Sequence, residues 1–226
     1  MCTEKHSWAF LLPLSNMTHT MKQKLVTEFI GTFFLSLTIC TAAVYGSGGD
    51  YAPFGIASTL MVMIYAGGHI SGAHYNPAVT ISIYVRGACP KEDVLPYIAS
   101  QVSSAISAAL LVEYLLFTDA SSPEMFDLGS EAIVAELLFT FALAYVILNV
   151  ATTESTSGNG YYGAAIALVV FAGAITVGSI SLASFNPAVT SALIISGKIS
   201  IADSWMHFVP QFVGAILATY VYKYTQ

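Results

Sequence analysis

Asn76 and Asn186 open the same five-residue phrase, Asn-Pro-Ala-Val-Thr, 110 residues apart. A carboxamide at the start of an apolar run offers N–H donors to a passing oxygen without carrying charge. Glu28, in "TEFIGTFFLSL", and Glu136, in "AELLFTFALAY", stand in otherwise apolar stretches. Ionisable groups so placed are costly and count as functional candidates, with snorkelling to an interface as the bland reading. Gln101 and Gln211 each follow the nearer asparagine by 25 residues. No nucleophile–base pair is visible. Cys2, Cys40 and Cys89 are odd in number and lack metal-ligand spacing. His69 reads as a loop-packing residue, and His74 has no partner at metal spacing. These residues therefore point away from an enzyme, a metal centre or a cofactor and towards hydrogen bonding of a neutral guest.

The elements that must carry these groups follow from composition. The chain has 226 residues, 56% of them hydrophobic and 9% charged, with a net charge of −6. Soluble domains carry about a quarter charged residues, so this is a membrane protein. A span needs roughly 20 apolar residues. Residues 25–45, 52–68, 94–117, 131–151, 161–180 and 202–222 qualify, leaving no room for a sizeable soluble domain.

Asn76 follows Glu28 by 48 residues and Asn186 follows Glu136 by 50, with the glutamines next in the same order. That order marks a tandem duplication. Three spans per half is an odd number, so the second half enters from the opposite face. Inverted repeats of this kind place function near the midplane, on broken helices. Residues 76–86 and 186–196 are too short to span, and Asn followed by Pro gives each a sharp helix start. Irregular backbone at membrane depth is tolerated only against a cavity or inside protein. Two such segments from opposite faces imply a pore. The expected fold is an all-α membrane protein with six transmembrane helices and two re-entrant half-helices. It divides into an N-terminal tail (1–24), a first repeat (25–117), a connecting loop (118–130), a second repeat (131–222) and a C-terminus (223–226).

Lys5, Lys22 and Lys24 precede the first span, Arg86 and Lys91 lie between the second and third, and Lys223 follows the sixth. Only Lys198 falls on the other side, so the positive-inside rule makes both termini cytoplasmic. Asp50, Asp119, Glu124, Asp127 and Asp203 occupy the opposite loops and read as loop solvation. "WAFLLPL" near the start is too short for a signal peptide and is read as tail. Met21 is an alternative start, and the acceptor pattern at Asn16–Thr18 is expected to be unused. Plasma, vacuolar and bacterial inner membranes are not distinguished.

"TEFIGTFFLSL", "GGHISGAHYNPAVT", Gln101 in "YIASQVSSA", the second "NPA" and "PQFVGA" together resemble the aquaporin, or major intrinsic protein, family over residues 25–222. The resemblance implies a right-handed six-helix bundle, one pore per chain, passive flow and a homotetramer in the lipid bilayer, with no nucleic-acid partner. Asn76, Pro77 and Ala78 would meet Asn186, Pro187 and Ala188 at the pore centre. Carbonyls of Gly72, Ala73, His74 and Tyr75, and of Leu182, Ala183, Ser184 and Phe185, would accept hydrogen bonds from the guest. Glu28 and Glu136 would hold the loop backbones, while Gln101 and Gln211 are read as equivalent packing residues. Two half-helix N-termini, each worth about +0.5 charge, repel cations and spare neutral solutes; aquaporins are the known example of this device.

One position departs from the family. Many members carry Arg directly after the second NPA, completing a narrow filter; here it is Val189, and Arg86 is the only arginine in the chain. Projected family spacing puts Ile56, Ala174 and Ala183 at the other filter positions, with Phe54 as the alternative to Ile56. A small apolar filter implies water with small neutral solutes such as glycerol, urea or ammonia. Val189 resembles the permissive plant tonoplast-type members, whereas Thr190 is not the Asp of glycerol facilitators. The alternatives are a dewetted, water-only or poorly conducting pore, and a structural or junctional role. A secondary transporter is disfavoured, because Glu28, Glu136 and Glu113 are the ionisable groups counted within spans.

Overall fold

The computed structural model describes residues 19–118 and 123–226. The expectations for Cys2, Lys5, Asn16–Thr18, the "WAFLLPL" stretch and Asp119 lie outside them. All regular structure among the described residues is helical, with no strand among them. The helices are α1 (Met21–Thr38), α2 (Ala52–Ser71), α3 (Pro77–Arg86), α4 (Lys91–Leu111), α5 (Glu131–Ala151), α6 (Tyr162–Ser181), α7 (Pro187–Ile195) and α8 (Trp205–Thr225). α1 and α4 each run on into a π-helical turn, Ile39–Val44 and Val112–Leu116. Their ends meet where Tyr45 stacks on Phe117 at 4.6 Å.

Local chemistry explains where these helices begin. Thr20 and Gln23 form a capping box at the start of α1. Asn76 and Asn186 cap the two half-helices, each with Pro in the first turn. Five of the six long helices are apolar enough to cross a membrane by length and composition. The sixth, α8, was expected as a span from the sequence but falls short of that hydropathy, since it carries His207, Gln211 and Lys223.

Packing follows the duplication. α1 lies against α4 and α5 against α8, while each half-helix packs on the last helix of the other repeat, α3 on α8 and α7 on α4. Small residues permit these approaches. A Cβ on Gly214 would sit 2.5 Å from the Leu137 carbonyl oxygen, so α8 touches the α5 backbone there. At the equivalent place in the first repeat Ser104 Oγ donates to the Phe29 carbonyl at 2.6 Å. One end of the bundle is basic: Lys24 pairs with Asp93 at 2.8 Å, and Lys223 Nζ donates to the Val85 carbonyl at 2.6 Å. At the acidic end Lys198 Nζ donates to the Glu124 carbonyl at 2.9 Å.

Candidate functional site

The centre of the molecule is two loops meeting head to head. In the first, Glu28 Oε1 accepts from Ser71 Oγ at 2.6 Å and from the His74 N–H at 2.9 Å. Its Oε2 accepts from the Tyr75 N–H at 2.7 Å and Gln101 Nε2 at 2.8 Å. In the second, Glu136 Oε1 accepts from Ser181 Oγ at 2.7 Å and the Ser184 N–H at 2.9 Å. Its Oε2 takes the Phe185 N–H at 2.7 Å and Gln211 Nε2 at 2.8 Å. Both carboxylates are fully buried. Snorkelling is thereby excluded, and four donors each offset the cost of burying them.

The glutamines do more than pack. Gln101 Nε2 also donates to Thr80 Oγ1, and Gln211 Nε2 to Thr190 Oγ1, both at 3.0 Å. Thr80 and Thr190 are the last residues of the repeated phrase, so its threonine ties the half-helix to the carboxylate. Ser71 and Ser181, five residues before each asparagine, were missed by sequence reasoning. Repeat alignment was the signal that marks them.

Each asparagine faces two ways. Asn76 Oδ1 accepts from the Ala78 N–H at 2.9 Å and Asn186 Oδ1 from the Ala188 N–H at 2.9 Å. Asn76 Nδ2 donates to the Phe185 carbonyl and Asn186 Nδ2 to the Tyr75 carbonyl, each at 2.9 Å. Two of the carbonyls expected to serve a guest are thus already engaged by the opposing repeat. The second N–H of each amide has no protein partner among the described residues. The loops reach this geometry through left-handed backbone at Ala73, Tyr75, Leu182, Ala183 and Phe185, with φ between 49° and 63°. Such conformations cost free energy in non-glycine residues and persist where the surroundings enforce them, as the glutamate anchors do here.

A cavity of about 890 Å³ runs past both amides. Towards the acidic end its walls are Leu35, Ile39 and Ala43 of α1 and its π turn, Ile56 and Leu60 of α2, and Ala174, Ala183 and Val189. Towards the basic end they include His69, His74, Arg86, Glu154 and Asn159. Of the NPA residues only the asparagines line it, because Pro77, Ala78, Pro187 and Ala188 are buried behind them. Gly72, Ala73, His74, Tyr75, Leu182 and Ser184 also line it, whereas Phe185 is packed away on Phe139. Ile56, Ala174, Ala183 and Val189 all face the cavity. Phe54 does not: it is 64% exposed on the outer surface of α2, edge-on to Phe171. No cluster of three or more His, Cys, Asp or Glu that could hold a metal occurs among the described residues.

The family model of the major intrinsic protein matches residues 15–168 and 152–226, which together take in nearly the whole chain. The chain belongs to the major intrinsic protein family. Among its relatives in that family, the probable aquaporin NIP4-2 of Arabidopsis thaliana is 35% identical over 217 residues, covering 90% of this chain and 75% of its own length. Aquaporin NIP1-1 of the same plant is 36% identical over 89% of this chain and 73% of its own. The probable aquaporin AqpM of Archaeoglobus fulgidus is 31% identical, over 92% of this chain and 98% of its own. In fold the chain is similar to the crystal structure of the aquaglyceroporin from Plasmodium falciparum, with a TM-score of 0.72 at 23% identity, over 90% of this chain and 96% of that one. Family membership makes this an integral membrane protein and a passive channel rather than an enzyme.

One sequence expectation needs correcting within the major intrinsic protein frame. His207 also lies inside a span, fully buried in α8, with Nδ1 3.3 Å from Thr190 Oγ1. The count of ionisable groups in spans overlooked it, together with Glu131 and Asp203 at the ends of residues 131–151 and 202–222. His207 lies outside the cavity lining, so it supplies no transport site along the path.

Proposed function

We propose that the chain conducts water and small neutral solutes, such as glycerol, urea and ammonia, through one pore per chain in a homotetramer. Both termini are then cytoplasmic, and the basic end of the bundle is the inner mouth, as the positive-inside rule requires. The observation that carries the reading is the cavity passing both Asn76 and Asn186, each with an amide N–H free for a guest oxygen. Half-helix N-termini converge there, so the potential favours neutral guests over cations.

Ile56, Ala174, Ala183 and Val189 form the filter in this reading. None offers a side-chain hydrogen bond, and three are small, so steric exclusion of three-carbon polyols is weak. The apolar wall at the acidic end also favours a second reading, in which the pore dewets and conducts poorly. Stopped-flow shrinkage of proteoliposomes separates them. Water flux several-fold above empty vesicles, with glycerol and urea flux above background, is the expected outcome. Water flux at the lipid level sinks the channel reading, and water passing without the other solutes sinks the wide filter. Val189→Arg is expected to cut glycerol and urea flux about tenfold while water falls less.

A further inference from the structure

Val189 leaves the filter without charge, yet the same cavity does carry one fixed cation, at its other end. Arg86, the only arginine in the chain, lines the basic mouth. It is held there on two sides. Nη2 donates to the Thr152 carbonyl at 3.2 Å, and the guanidinium lies 5.2 Å over the Tyr222 ring. Among the described residues no carboxylate lies within salt-bridge distance, so its charge is not cancelled by a partner. Glu154 lines the same mouth but is exposed to solvent, where its charge is screened more strongly than that of the half-buried guanidinium.

The position has an electrostatic reason. Arg86 is the last residue of α3, whose carbonyl end carries about −0.5 charge and points at this mouth. Without compensation that end would gather cations at the entrance. The second half-helix, α7, has no basic residue in its last turn, so the duplication did not supply a matching charge at the acidic mouth. Resting on the channel reading above, we propose that Arg86 adds a second cation barrier to the one the converging half-helix N-termini set at the centre, a specificity-determining charge at the inner mouth instead of the outer constriction.

Proton flux reports on the barrier directly, read by an entrapped pH dye in proteoliposomes at clamped potential, beside water flux on the same vesicles. One charge beside a narrow path at an effective dielectric of about 20, reduced by solvent at an open mouth, alters ion passage about tenfold. Arg86→Gln should therefore raise proton flux about tenfold with water flux within roughly twofold, and Arg86→Lys should stay at the parent level. Unchanged proton flux in Arg86→Gln with water retained overturns the proposal. So does Arg86→Lys leaking as much as Arg86→Gln, because the residue would then act only by anchoring Thr152. If Arg86→Gln does not fold, Arg86→Met serves instead. It keeps an unbranched side chain over the Tyr222 ring without the charge. A several-fold rise in its proton flux supports the barrier, and none overturns it. Should the parent carry no water above lipid, the channel reading itself has failed, a result distinct from all of these.

Discussion

The loop at Gly72–Tyr75 and the loop at Leu182–Phe185 make the same backbone hydrogen bonds with different side chains. Gly72 takes φ 86°, where glycine has no steric penalty, while Leu182 holds φ 63° in the second loop. Tyr75 lies over Gly31, where a Cβ would come within 2.2 Å of its ring, and its hydroxyl donates to the Met63 carbonyl at 2.9 Å. Phe185 instead stacks at 5.3 Å on Phe139, the residue that replaces Gly31 in the second repeat. It finds its space over Gly173 of α6. His74 against Tyr97 in the first repeat becomes Ser184 and His207 in the second, joined through Thr190 Oγ1. The polar anchors therefore tolerate no variation between halves, because each buried donor needs its acceptor. Volume can move from loop to helix as long as the sum still fills the space.

This comparison can be broken at several points. The largest expected effect is sidedness. Ala73→Cys and Ala183→Cys place thiols on the cavity wall in opposite halves. A membrane-impermeant thiol reagent should abolish water flux from the inner side for the first and from the outer side for the second. Blocking of both from one side would contradict two loops inverted with respect to each other. Mercury should not block the parent through Cys40 or Cys89, since both are buried away from the cavity.

Glu28→Gln and Glu136→Gln come next. Each replaces a four-donor acceptor by a group with one acceptor oxygen and an amide that confronts donors. A loss of about 2–4 kcal/mol is expected from either, read as a drop in thermal unfolding temperature in detergent together with lost water flux. A tolerated change in one repeat alone would end the claim of equivalence. Gly31→Ala should then cost about 1–3 kcal/mol by overpacking against Tyr75, and Tyr75→Leu in the same chain should recover part of it. The smallest effect is Leu182→Gly, which relieves left-handed strain and should raise stability by up to about 1 kcal/mol. Gly72→Leu should move stability in the opposite direction.

Much of this was legible in order and spacing. The duplication, both half-helix starts and the pairing of Glu28 with Glu136 followed from repeated residue types, because each records a local or symmetric requirement. The span limits came out close, with residues 131–151 matching α5 to the residue and 76–86 differing from α3 by only the capping asparagine. Three features were not legible. Ser71, Thr80 and their counterparts are marked as equivalent by the repeat, but only their distance to a carboxylate shows what they do. The choice between Ile56 and Phe54 depends on how α2 is rotated, which side-chain packing against α6 decides. The engagement of Tyr75 and Phe185 carbonyls by the asparagines of the opposite repeat joins residues 109 and 111 apart, beyond the reach of any local pattern.

By itself, then, the sequence determined that two equivalent halves meet in a membrane around paired amides, and that no arginine follows the second of them. Only the tertiary structure decided which side chains face the cavity and which stand behind it. It also brought Arg86 to the mouth of the cavity, since the path of a pore is set by helix rotation and by contacts between repeats that no single segment contains.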